Sequence, residues 1–218
     1  TIPAESRAVV YQYYDGGLIQ FALPVIPALI LAGLMAAAFA FLIGLPVLRL
    51  KSDYLAIATL GFAEIIRSIF QWDKLGAITN GSNMLRLFPT FNDFNLKNAQ
   101  GEVTLYLSTT IPFLIAGVCI GLIVLLLHSS YGRAFMSIRD DEIAAEAMGI
   151  NLARHKQQAF CISSFFAGVG GALLAMYQNS VQAKSFTSAM TYEILLIVVI
   201  GGIGSVTGSC ISSFLFIA

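Results

Sequence analysis

Apolar residues in this chain come in long, nearly unbroken runs rather than alternating stripes. A helix needs about 20 apolar residues to cross the hydrocarbon layer of a bilayer. Leu18 to Leu42 meets that length with no charge along it. Pro24 and Pro27, in its first third, either kink it or mark its true start. Leu107 to Leu127 is the cleanest run, with Pro112 near its beginning, and Ala159 to Tyr177 is another, rich in small residues. Tyr192 to about Ala218 is also apolar, interrupted by Gly201-Gly-Ile-Gly204 and by Gly208. Tyr54 to Phe70 is shorter and carries Glu64 and Arg67, so it reads as a tilted crossing or a helix that stops short of one face. The pattern predicts an all-α, polytopic integral membrane helical bundle with about five membrane segments in this portion.

The polar stretches between these runs set the expected orientation. Arg49 and Lys51 fall after the first run, and Arg133, Arg139, Arg154 and Lys156 fall between the third and fourth. The remaining basic residues, Arg7, Lys74, Arg86, Lys97 and Lys184, are spread over longer stretches. Basic residues favour the cytoplasmic side. Segments 44–53 and 128–156 are therefore expected in the cytoplasm, with the N-terminus, the loop 71–106 and the 178–190 link facing outward. The outer loop carries a turn signal, Thr79-Asn80-Gly81-Ser82, and four aromatic candidates for interfacial anchors: Trp72, Phe88, Phe91 and Phe94. The opening Thr1–Asp15 is polar and aromatic without a basic start, unlike a signal peptide. The chain begins without methionine and stops inside an apolar run. The expectation is a single transmembrane domain over 1–218, truncated at both ends.

Composition sharpens the class. Of 218 residues, 57 % are hydrophobic and 11 % charged, against ~25 % charged in an ordinary soluble domain, and the mean hydropathy is +0.81. A soluble fold of this size could not hide so much apolar surface. A soluble enzyme, a disordered tail and a secreted disulfide scaffold all fit poorly. Twelve basic and twelve acidic residues cancel, leaving no nucleic-acid footprint. Cys119, Cys161 and Cys210 lie singly in apolar runs, without metal or disulfide spacing.

The richest polar segment is Ser130 to Lys156. Asp140 is a candidate helix N-cap, placing Asp141 and Glu142 in the first turn, where acids suit the positive helix end. Ala144, Ala145 and Ala147 favour a helix, Gly149 suits its C-terminal stop, and Asn151 suits the cap of the next helix. The expected helix has about two turns, with Ile143, Ala144, Ala147 and Met148 on one face and Glu142 and Glu146 on another. It is too short to stand alone in water. It is either a connector lying on its own protein or a docking helix inserted into a cytoplasmic partner; these residues leave both open.

Four stretches carry a resemblance. They are Gly44-Leu-Pro-Val-Leu-Arg through Glu64-Ile-Ile-Arg67, Gly132-Arg-Ala-Phe-Met through Gly149-Ile-Asn151, Ser164-Phe-Phe-Ala-Gly-Val-Gly-Gly-Ala-Leu173, and Glu193-Ile-Leu through Gly201-Gly-Ile-Gly-Ser-Val-Thr-Gly208. In this order they resemble the inner-membrane permease subunit of a branched-chain amino-acid ABC transporter, of the LivM type. The second stretch is similar to the permease motif EAA-x3-G, which forms a coupling helix against the ATP-binding subunit. The motif's alanines fall on Ala144 and Ala145 and its glycine on Gly149. Its glutamate position is Ile143, with the acid displaced to Glu142. The family's N-terminal Gly-Gln-x-Ser-x-Gly-His stretch is absent. The resemblance implies a coupling set of Arg139, Asp140, Glu142, Ala144, Ala145, Glu146 and Gly149. It also implies a homologous second permease subunit (LivH-like), two ATP-binding subunits and a periplasmic or lipid-anchored solute-binding protein. No cofactor is expected on the chain itself, since ATP-Mg belongs to the partner ATPase subunits. The location implied is the plasma (inner) membrane of a bacterium or archaeon. Leucine, isoleucine and valine are the implied substrates, although relatives carry urea, short amides or other amino acids.

The other candidates each have a plainer reading. Glu64 and Arg67, spaced i and i+3, can pair and line a translocation path, or sit near the outer headgroups. Glu193 could face a substrate exit or cap its helix. Gly201, Gly202, Gly204 and Gly208 lack the Lys-Ser/Thr ending of a phosphate loop and suit a broken helix or close helix packing. His128 and His155 read as interface residues, not metal ligands, and no catalytic set is visible. The rival class is an ion-coupled secondary transporter or channel for a small polar solute, which would have to centre on Glu64 and Arg67. An integral-membrane enzyme has no residues to support it.

Overall fold

The structure is a computed structural model that describes residues 25–48, 50, 52–72, 91, 96–97, 103–105, 107–178 and 180–217. Arg49, Lys51, the Thr79–Ser82 turn, Phe88, Phe94 and the first part of the Leu18–Leu42 run lie outside the described residues. The first described helix, α1, spans Val25–Val47. Pro27 stands in its first turn, where a missing N–H costs no helical bond. The helix runs past Leu42 because Ile43-Gly-Leu-Pro-Val47 is equally apolar, and Pro46 is reached only at its end. Helix α2 spans Ser52–Gln71. A short antiparallel ribbon follows, β1 (Leu96–Lys97) with β2 (Val103–Leu105), pairing Leu96 with Leu105.

Helix α3, Leu107–His128, leads through Ser129 into α4, Ser130–Asp140, and α5, Glu142–Ala147. The Ser129 hydroxyl accepts from Gly132 N and caps α4. Helix α6, Leu152–Gln178, is longer than the Ala159–Tyr177 run because its first turns are polar. The segment 128–156 is thus mostly helical. The terminal apolar stretch is two helices, α7 (Ser188–Gly201) and α8 (Val206–Ile217). The all-α polytopic expectation holds: among the described residues three helices are long and apolar enough to span a bilayer, α1, α6 and the part of α3 from Thr110 to His128, with shorter apolar helices beside them. Helix α2 is diluted by charge, and α7 and α8 are each too short.

Helices α1 and α6 form the central packing pair. Leu29, Gly33, Ala40, Gly44 and Val47 make one buried stripe on α1. A Cβ on Gly168 would lie 2.6 Å from Ala36 Cβ and 2.8 Å from Ala32 O, and one on Gly33 would lie 2.7 Å from the Phe165 ring. The two backbones meet through small residues, which is how membrane helices gain contact when apolar lipid offers no hydrophobic drive to associate. The Gln157 amide donates to Phe41 O at 3.0 Å, joining the end of α1 to the start of α6. At the other end of α6, the Tyr177 ring lies 6.5 Å from that of Phe91. Segments 44–48 and 150–157 therefore share one end of the bundle, and Phe91 shares the opposite end with 177–178.

Candidate functional site

Helix α5 is defined at both ends by local bonds. Asp141, not Asp140, is its N-cap. The Asp141 backbone is extended (φ −155°, ψ 110°), and its carboxylate accepts from Ile143 N and Ala144 N at 2.9 and 3.1 Å. Asp140 is still helical in α4, so its side chain turns aside and accepts from Arg139 Nε and Nη2 at 3.1 and 3.0 Å. At the C-terminus Gly149 adopts φ +85°, Gly149 N donates to Glu146 O at 2.9 Å, and Ile150 N donates to Ala145 O at 3.1 Å. This is the paired-bond ending that a left-handed glycine allows. Asn151 Oδ1 then accepts from Arg154 N at 3.1 Å and starts α6.

The faces of α5 are sharply divided. Ala145 is 3 % exposed and turned inward, whereas Ile143 and Met148 are 82 % and 83 % exposed. Ala144, Glu146 and Ala147 are also exposed. Glu142 pairs with Lys156 at 2.7 Å, tying α5 to α6. The His155 ring packs edge-on against Phe135 of α4, centroids 6.2 Å apart. These contacts make one polar helical unit at the end of the bundle. Neither the Lys156 partner nor the Asp141 cap is legible in the sequence, because adjacent acids at a helix start do not reveal which one has the extended backbone.

The Gly-rich stretch breaks the terminal apolar run. Gly202 and Gly204 have φ +91° and +90°, and a Cβ on Gly201 would lie 2.7 Å from the Gly208 backbone. The Ser205 hydroxyl accepts from Gly208 N at 3.1 Å and caps α8. Arg139 reaches this turn: its Nη1 lies 2.7 Å from where a Cβ on Gly204 would stand.

Glu64 and Arg67 do pair, at 2.9 Å, along α2. Ser188, the first residue of α7, donates its hydroxyl to the same carboxylate. Arg67 Nε is buried without a hydrogen-bond partner. Thr187–Ser188 before an apolar run is a helix-start signal that marks where α7 begins, though not the partner it meets. Glu193 is exposed and lies inside α7, so it does not cap that helix and is not brought to Glu64. A groove of about 340 Å³ between α1, α2 and α6 is lined mainly by apolar side chains, among them Phe39, Ile43, Phe62 and Phe160, with Thr59 and Ser164 the hydroxyls. Among the described residues no group of His, Cys, Asp or Glu is arranged to hold a metal ion.

Apolar helices of spanning length, packed through small residues and ending in a polar helical unit, define a multi-pass membrane protein. The chain belongs to the family of permease components of branched-chain amino acid transport systems, whose profile matches residues 7–218. That is a family of transport components and not of enzymes. The chain is 40 % identical over 195 residues to the high-affinity branched-chain amino acid transport system permease protein LivM of Escherichia coli K12, covering 80 % of this chain and 45 % of that protein. It is 27 % identical over 187 residues to the probable LivM permease protein of Methanocaldococcus jannaschii, covering 83 % and 52 %. It is also 24 % identical over 193 residues to that organism's probable LivH permease protein, covering 87 % and 59 %. The chain thus spans about half the length of the relatives it matches. No solved structure matches it.

Proposed function

We propose that this chain is the membrane portion of an ATP-driven importer of branched-chain amino acids, and that α5 is the helix through which a partner ATP-binding subunit moves it. The observation that carries this reading is the outward face of α5. A connector would lay Ile143 and Met148 on its own protein. Here both point away from it on a helix fixed by two caps and an ion pair, while only Ala145 packs inward. An apolar face held at the surface of a polar unit is what a docking groove requires. The names of the relatives support the substrate class. The assembly proposed is a second, LivH-like permease subunit, two ATP-binding subunits that carry ATP-Mg, and an external solute-binding protein. The α4–α5 unit would face the cytoplasm of a cell whose plasma membrane holds the bundle. Closure of the ATPases would pull on α5 and tip the helices from inward-facing to outward-facing. In the ion-coupled alternative Glu64 would bind the coupling ion, but its carboxylate is already engaged by Arg67 and Ser188.

The test is recovery of the assembled complex after co-expression with the partner ATPase. Ile143→Asp combined with Met148→Asp should abolish ATPase recovery and leave the membrane protein at its normal yield, since both side chains are exposed. Undiminished ATPase binding by the double variant, or no binding by the wild type, would defeat the reading.

A further inference from the structure

Helix α7 has 14 residues, about 21 Å at 1.5 Å per residue, and meets a carboxylate from one element at its start and a guanidinium from another just past its end. At its N-terminus the Ser188 hydroxyl donates to the Glu64 carboxylate of α2. Just beyond its C-terminus the Arg139 guanidinium of α4 lies against Gly204. An anion at the first turn suits the helix dipole, and the Arg139 cation stands three residues past the last helical residue, Gly201. Arg139 is also constrained on its other edge. Its Nε and Nη2 donate to Asp140, leaving Nη1 as the nitrogen that faces the turn. The next residue, Asp141, is the cap of α5. A displacement of α5 therefore reaches α7 through three consecutive residues and one guanidinium.

We infer that α7 is a strut between the α4–α5 unit and the Glu64–Arg67 pair, and that Arg139 is the positioning residue that moves it. This rests on the reading of α5 as the docking helix. The turn is built for the contact. Gly204 carries a positive φ and a Cβ there would meet Nη1 at 2.7 Å, so the end of the Arg139 side chain would have to shift, whereas Gly202 has the same kind of φ with nothing within 4 Å. Two glycines of similar positive φ thus differ in whether Arg139 lies beside them.

The experiment uses the full transporter in lipid vesicles, with its ATPases and binding protein, and reads leucine imported per ATP hydrolysed. Arg139→Gln should lower that ratio, taken per assembled complex recovered, roughly five- to tenfold, and Arg139→Lys should restore part of it. Gly204→Ala should act like Arg139→Gln, and the two together should be no worse than either alone. Gly202→Ala, which adds strain without touching Arg139, should combine additively with Arg139→Gln. A normal ratio in Arg139→Gln, or additivity with Gly204→Ala, would overturn the inference. A second measurement is independent of transport. Spin labels at Tyr131→Cys and Ile203→Cys, with the native cysteines replaced by alanine, should give a narrow distance distribution that Arg139→Gln broadens. If the wild-type complex imports no leucine, the functional reading fails and the labels alone decide the link: broadening keeps it, and an unchanged distribution removes it.

Discussion

Gln157 donates its side-chain amide to the main-chain carbonyl of Phe41 at 3.0 Å, and Gly44 provides the space it occupies. A Cβ on Gly44 would come within 2.7 Å of that amide. Interhelical hydrogen bonds between membrane helices average about 0.6 kcal/mol and reach about 1.7. Gln157→Leu should cost a destabilisation in that range. Gly44→Val should cost more, because it removes the bond and also wedges α1 from α6. Thermal unfolding of the purified protein in detergent checks both. Equal melting temperatures for Gln157→Leu and wild type would show that the bond adds nothing.

The α1–α6 crossing offers a matched pair of glycines. Gly168→Ala must push against Ala36 and the Ala32 carbonyl, and overpacking of this kind costs about 1–3 kcal/mol. Gly170→Ala has nothing within 4 Å and places a better helix former two residues away. The first should lower the melting temperature and the second should leave it level or raise it. Identical behaviour would mean that the crossing tolerates wider spacing.

Asp141 and Asp140 are neighbours with separate duties. Asp141→Ala removes the acceptor of two amide protons and should cost about 0.5–2 kcal/mol of local stability. Hydrogen exchange at Ile143 and Ala144 should then speed up, with weaker ATPase recovery. Asp140→Ala should leave that exchange unchanged, since among the described residues the Asp140 carboxylate is bonded by Arg139 and not by Ile143 N or Ala144 N. Faster exchange in Asp140→Ala instead would reverse the assignment.

The Glu64–Arg67 pair should behave as a unit. Arg67→Met strands a carboxylate within an apolar helix, whereas Arg67→Met with Glu64→Gln removes both charges. The single variant should therefore melt lower than the double. The order of melting temperatures decides this. Normal import by Glu64→Gln with Arg67→Ala would separately exclude the pair from any translocation role.

Much of this architecture could be read from the chain. Unbroken apolar length announces α1, α3 and α6, because no soluble packing could cover it. Gly149 and Asn151 are legible since a left-handed stop and a side-chain cap each demand a narrow set of residues, and the structure puts both at those tasks. What sequence could not resolve are choices between neighbours and contacts at long range. Which of two aspartates caps α5 depends on where the backbone leaves the helix. That Ala145 turns inward and Ile143 outward depends on the direction α5 takes after α4. Ser188 meeting Glu64 and Arg139 meeting Gly204 join residues far apart in sequence, which no local pattern encodes.

The double capping of α5 bears on how quickly and cheaply a partner can be bound. A segment this short would ordinarily fold only on contact, and binding would have to offset its lost conformational freedom. Here the Asp141 cap, the Gly149 ending and the Glu142–Lys156 pair have already imposed that order on the unbound chain. On the proposed reading of α5, association would proceed as rigid docking, and a pull on the helix would be delivered to the bundle instead of being absorbed by unwinding.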